Sequence, residues 1–253
     1  MSFVFGEDSV LLSQPLLLDL KQRRFLVGVR FAVESLELSR TRLWNALERW
    51  HTEGNVTGGA LSVAGLFTDV WSIVDNARRL QRLLWKMPFA GEISFAKAFV
   101  DRWPTVKKVR DAVQHVEQDF LNTVMLDNHV YGQLCWIDMR FRISDGKVHA
   151  YVVPAGPQAN RQLNSVQFPA AIPIDTGDST DSVILQASGV NLNIAHLLID
   201  IEETIQVLEA RIGEALRLTI ASELAAHPER AAKLKLNAKI TSGFRLEISP
   251  KTT

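Results

Sequence analysis

Apolar side chains recur at Phe25, Val29, Ala32, Leu36, Leu43, Leu47 and Trp50 in steps of three, four and seven. That spacing keeps one stripe inward and predicts one long helix, or two abutting ones, over 16–51. Arg30, Glu34, Arg40, Arg42 and Glu48 fall mostly off the stripe. The Gly-rich, polar stretch "HTEGNVTGGA" at 51–60 interrupts the pattern. A second stripe of Val63, Leu66, Phe67, Val70, Ile73, Val74, Ala77, Leu80 and Leu84 predicts a helix over 61–86. "MPFAGE" at 87–92 breaks the chain again, and a short helix is expected over 93–103. Pro104 suits the first turn of the next helix, where its missing N–H goes unused. That helix is expected to reach about Leu126, on a stripe of Val106, Val109, Val113, Val116, Phe120 and Val124.

The period then switches to two. "CWIDMRFRISDGKVHAYVV" at 135–153 alternates apolar and polar residues around Asp145-Gly146 and predicts a hairpin. The stretch 154–181 holds several Pro and Gly and is expected to be loop, and "SVILQA" at 182–187 a third strand. A last long helix is expected to start near Asn193. Its stripe of Ile194, Leu198, Ile201, Ile205, Leu208, Ile212 and Leu216 is close to a heptad, and it stops before His227-Pro228. The tail could form a small hairpin around Ser242-Gly243. The expected fold is mainly α: a helical bundle (1–131 with 189–226), a three-stranded β insertion before the last helix (132–188) and a C-terminal tail (227–253). Interleaved βαβ units are absent, which argues against a doubly wound sheet.

Length and composition narrow the class. The 253 residues suffice for one substantial core, and 28 basic residues balance 28 acidic ones. Zero net charge argues against coating nucleic acid through bulk charge, yet it leaves local basic patches possible. The single cysteine, Cys135, cannot close an internal disulfide or build a thiolate metal site. With no basic n-region ahead of an apolar run and no uncharged apolar stretch of membrane-spanning length, a cytoplasmic, non-membrane protein is expected.

Candidate chemistry is sparse. His51, His129, His149, His196 and His227 have no partner at metal-ligand spacing, so neither a metal nor a cofactor is expected. Arg78, Arg79, Arg82 and Lys86 form a basic edge on the second helix. They could contact RNA phosphates, or form a solvated face in which Asp75 pairs with Arg79 four residues on. Lys107 and Lys108 admit the same two readings. Between them and Phe120 lies "VRDAVQHVEQDF", with Arg110, Asp111 and His115. On a helical wheel Arg110 lies about 60° from the core direction at Val113 and His115 about 160° from it on the far side. The two are therefore about 140° apart and share no face, so a second copy of the helix would have to complete a site. Asp111 sits one turn before His115, placed to bond one imidazole nitrogen and leave the other for proton transfer. A second Arg-to-His match, Arg142 to His149, spans the Asp145-Gly146 turn and is accidental.

Arg110, Asp111 and His115 resemble the signature of the HEPN superfamily: Arg, a polar residue, three more residues, then His. The stretch 67–84 resembles the helix packed beside that motif in some members, and the resemblance covers about 20–126 plus the last helix. It implies a HEPN-like bundle that acts as a homodimer and cleaves RNA without metal, as members in bacterial toxin or defence systems do, with an antitoxin or regulatory partner. His115 would move protons, Arg110 would steady charge on the phosphoryl oxygens, and Asp111 would orient His115. Arg78, Arg79, Arg82 and Lys107 would bind RNA. Glu117 stands where some toxins of the family carry a modifiable Tyr, so regulation by that route is not implied. The alternative is a non-catalytic dimerisation or partner-docking bundle with the β insertion as its recognition surface.

Overall fold

The computed structural model describes residues 5, 9–15, 18–53, 63–89, 94–114, 132–142, 148–155, 182–187, 189–227 and 237–239. The first long helix, α1 (Leu20–Glu53), opens on a reciprocal cap. The Gln22 N–H donates to Asp19 Oδ1 at 2.8 Å and the Asp19 N–H donates to Gln22 Oε1 at 3.0 Å, which satisfies two amides the first turn would leave orphaned. Its core face buries Phe25, Leu26, Val29, Ala32, Val33, Leu36, Leu43 and Leu47 against Leu66, Phe67, Val70, Ile73, Val74, Ala77, Leu80 and Leu84 of α2 (Val63–Trp85). Gly28 permits close approach, since a Cβ there would stand 3.2 Å from Leu83. Two polar links fix the helix pair: Ser39 Oγ donates to Ser72 Oγ at 2.7 Å, and the Arg42 guanidinium pairs with Asp69.

Two short helices follow, α3 (Ser94–Arg102) and α4 (Pro104–Gln114), with Pro104 at the first position of α4 as its spacing predicts. Trp103 between them is held from two sides. Its carbonyl accepts from Gln81 Nε2 at 2.9 Å, and its indole Nε1 donates to Asp200 Oδ2 at 2.7 Å. The expected continuation of α4 to Leu126 lies outside the described residues, as does His115.

The β structure is a four-stranded antiparallel sheet in the order β3–β2–β4–β5, from β2 (Gln133–Arg142), β3 (Val148–Pro154), β4 (Ser182–Ala187) and β5 (Val190–Asn193). The hairpin and third strand are present as expected, while the Asp145-Gly146 turn lies outside the described residues. The fourth strand is an addition. It follows Gly189, whose φ is +71°, and pairs Leu192 with Leu185 before running directly into the last helix. Leu134, Trp136, Val153, Val183, Leu185 and Leu192 join the same hydrophobic core as the helices. Trp136 stacks on Tyr151 at 5.0 Å and takes the edge of Trp50 from the end of α1 at 6.1 Å. Strand and helix layers are thus bound into one core.

The last helix, α5 (Ile194–Ala226), is capped by Asn193, whose side-chain oxygen accepts the His196 N–H at 3.0 Å. It buries the near-heptad stripe read from the sequence, from Ile194 through Leu198, Ile201, Ile205, Leu208 and Ile212 to Leu216. Asp200 accepts from Arg102 at 3.0 Å and so ties α5 to α3. A two-stranded ribbon joins the chain ends: β1 (Ser13–Pro15) runs antiparallel to β6 (Asn237–Lys239). The tail therefore contributes a strand to the N-terminal segment, and the Ser242-Gly243 turn lies outside the described residues. Just before β1, Val10 and Leu11 enter the core and the Ser9 hydroxyl donates to Glu209 of α5.

Candidate functional site

The basic edge of α2 is real, and it borders a groove. Asp75, Arg78, Arg79, Arg82 and Lys86 follow steps of three and four, so they line one face of the helix while Leu80 and Leu84 stay in the core. The beginning of α1 supplies Lys21 and Arg24 opposite them. From α4, Val106 and Val109 are buried against the core, which turns the next residue, Arg110, toward the same groove. The cavity encloses about 590 Å³ and is lined by seven basic side chains and, among the described lining residues, one carboxylate, Asp75. A chain of zero net charge has thus concentrated cations on one surface, where they raise local anion concentration.

Within the groove the contacts differ from those expected of a solvated face. Asp75 pairs with Arg110, not Arg79: Arg110 Nε lies 2.9 Å from Asp75 Oδ1 and joins α4 to α2. The pair is partly open to solvent, with the Asp75 side chain 54% exposed. Arg79 instead donates to Asn76 Oδ1 at 3.3 Å, and its guanidinium lies over the Phe31 ring at 5.6 Å. Arg78 donates to Gln81 Oε1 at 3.1 Å, which links it through Gln81 to the α3–α4 junction. Lys21, Arg24, Arg82 and Lys86 are exposed, and no carboxylate among the described residues forms an ion pair with them.

The structure brings Arg78, Arg79, Arg82 and Arg110 together although they come from two helices. Asp111 lies next to Arg110, its carboxylate 3.9 Å from Arg110 Nη1. Lys107 is exposed on α4, one turn before Arg110, and is not among the groove's lining residues. His115 and Glu117 lie outside the described residues. Sequence reasoning missed Lys21 and Arg24. The signal was the basic run "KQRR", whose relation to α2 only the packing of α1 reveals.

A second depression, of about 910 Å³, adjoins the first and shares Asp75 and Arg79 with it. Phe31 and Leu38 of α1 and Val63, Phe67 and Trp71 of α2 make it mainly apolar. Trp71 Nε1 is buried there with no hydrogen-bond partner among the described residues. Cys135 lines neither groove and is buried in β2. Burial pushes its thiol up from the ordinary value, and a hydrogen bond from Gln133 partly opposes that shift. Among the described residues no cluster of His, Cys, Asp and Glu is placed to hold a metal ion, and no helix is long and apolar enough to cross a membrane. No protein-family model, curated protein or solved structure matches the chain.

Proposed function

We propose that this protein is a HEPN-like, metal-independent endoribonuclease of the cytoplasm that acts as a homodimer, with the basic groove as its track for the RNA backbone. The observation that carries the reading is convergence. Arg110 of the sequence motif lines the same groove as Arg78, Arg79 and Arg82, with Lys21 and Arg24 completing it. Phosphates lying along α2 would meet a row of guanidinium and ammonium groups, and Arg110 would reach the phosphate at the scissile position. His115, five residues on, would take the proton from the 2′-hydroxyl or give one to the leaving oxygen. Asp111 would orient that imidazole. Lys107 would hold a flanking phosphate. The reading also accommodates a toxin or defence setting in which an antitoxin or regulatory protein covers the groove.

A second reading rests on the Arg110–Asp75 ion pair. There Arg110 is a structural tie between α2 and α4, and the apolar groove beside it docks a partner without catalysis. Incubation of single-stranded RNA in chelator with wild type, Arg110→Ala and His115→Ala separates the two. The nuclease reading expects cleavage by wild type and its loss in both variants. Cleavage that His115→Ala retains in full sinks it.

A further inference from the structure

The side of α1 turned away from its own core carries a regular line of side chains. Residues 20, 24, 27, 31, 34 and 38 follow steps of four and three, and all six are exposed. An exposed line on a helix in a folded domain is ordinarily polar. Here it reads Leu20, Arg24, Val27, Phe31, Glu34, Leu38, and its four apolar members are 60, 46, 57 and 58% exposed. The steps are those of the inner positions of a heptad repeat, sustained over about 27 Å of helix. The next positions, Thr41, Asn45 and Glu48, are polar, so the apolar line ends at Leu38.

The geometry points to a second copy of this chain as the occupant, with α1 packed antiparallel on α1 about a two-fold axis at the level of Val29. The line is its own complement in that orientation. Leu20 falls level with Leu38 of the partner, Arg24 with Glu34, and Val27 with Phe31, and the same three layers repeat in reverse. Four layers are apolar and two are opposite-charge pairs. In a parallel arrangement Arg24 would meet Arg24 and Glu34 would meet Glu34, which the like charges disfavour. In the single chain Glu34 pairs with Arg30 at 2.7 Å and keeps its side chain 48% exposed, so a partner's Arg24 would share that carboxylate with Arg30. The contact is one helix wide, at the small end for specific interfaces, so a reversible dimer in the micromolar range is expected.

The arrangement also places the two basic grooves. Arg24 lies at the edge of its own groove and level with Glu34 of the other copy. The two Arg24 residues are then ten positions apart along the axis, about 15 Å. This inference concerns the dimer component of the nuclease proposal but rests on α1 alone, so it is tested by mass and not by RNA.

Sedimentation velocity of the full chain over a concentration series should show a mass rising from one chain to two. Phe31→Glu and Arg24→Glu should each move the midpoint up at least about ten-fold, with the helical circular dichroism unchanged because both positions are exposed. The double variant Arg24→Glu/Glu34→Arg should restore the midpoint, since the opposite charges meet again only when the helices run antiparallel. A protein that stays monomeric throughout, a dimer that tolerates Phe31→Glu, or a double swap that fails to recover would each overturn the assignment.

Discussion

The groove makes a quantitative prediction through salt. Of the seven cations in the groove of a single chain, Arg110 is neutralised by Asp75, which leaves Lys21, Arg24, Arg78, Arg79, Arg82 and Lys86 available to phosphates at concentrations below the dimer midpoint, where Arg24 has no Glu34 partner from a second copy. Each phosphate neutralised on a single strand releases about 0.7 counterion, so six contacts give a slope of log affinity against log salt near −4 and about a 300-fold loss between ~50 and ~200 mM. Replacing Arg82 and Lys86 by Ala leaves four contacts, a slope near −3 and only about a 50-fold loss over the same range. Arg82 is exposed on α2 and Lys86 is exposed just after its end, so the fold should not change. The assay is fluorescence anisotropy of a labelled single-stranded RNA titrated with each protein at several salt concentrations, with Lys97→Ala, an exposed cation of α3 outside the groove, as control. A slope that the double variant leaves unchanged, or that Lys97→Ala reduces as much, refutes the groove as the RNA track.

Asp75→Asn should act in opposite senses on two readouts: urea denaturation should show a loss of about 0–1 kcal/mol from an exposed ion pair, while RNA binding should tighten and its salt slope steepen by about 0.7 as Arg110 is freed. Gly132→Ala should destabilise strongly, since φ there is +87° and a Cβ would stand 2.7 Å from the Gln186 carbonyl oxygen. The same change at Gly189, where φ is +71° but no atom lies within 4 Å, should cost only the backbone penalty of about 1–2 kcal/mol, and denaturation of the pair measures the difference. Burial holds the Cys135 thiol above its ordinary value, so the unfolded chain releases that proton first and stability should fall as pH rises through the ordinary thiol range. Denaturation midpoints followed upward from neutral pH should fall more steeply in wild type than in Cys135→Ala, which lacks the group.

How legible each part was follows from the range of the interactions that fix it. The buried stripes of α1, α2 and α5 are set by local period, and Val29, Leu80 and Ile201 fall where the spacing places them. The hairpin was legible from its alternation and the Asp145-Gly146 signal in the sequence, although Leu134, Cys135, Trp136 and Ile137 are all buried in succession. The fourth strand was not: Val190–Asn193 is four residues long and merges with a helix whose heptad dominates the pattern. The β1–β6 ribbon pairs residues more than two hundred positions apart, which no local window detects. The site was half legible. Arg78, Arg79 and Arg82 announce a basic face by spacing within one helix, whereas the partners that make it a groove come from other elements. Asp75 shows the limit: by sequence its neighbour was Arg79, but Phe31 draws that guanidinium away and packing of α4 delivers Arg110 instead.

That exchange of partners bears on what Arg110 can do. An ion pair with one member more than half exposed contributes about 0–1 kcal/mol, whereas charge-assisted hydrogen bonds to a charged group contribute about 1.5–3 kcal/mol. On the nuclease reading, bound phosphates would meet the other six cations, and only the scissile phosphate, as charge develops on it, would draw Arg110 from Asp75, at small cost. Asp75 ties Arg110, and with it α4, to α2. On that reading the freed carboxylate would share the groove with Arg78 and Arg79, whose positive charges would limit its repulsion of the phosphate. On the nuclease reading the structural tie and the phosphate contact would be successive states of one side chain, and the Arg110–Asp75 pair is compatible with catalysis at the position where the sequence motif puts it.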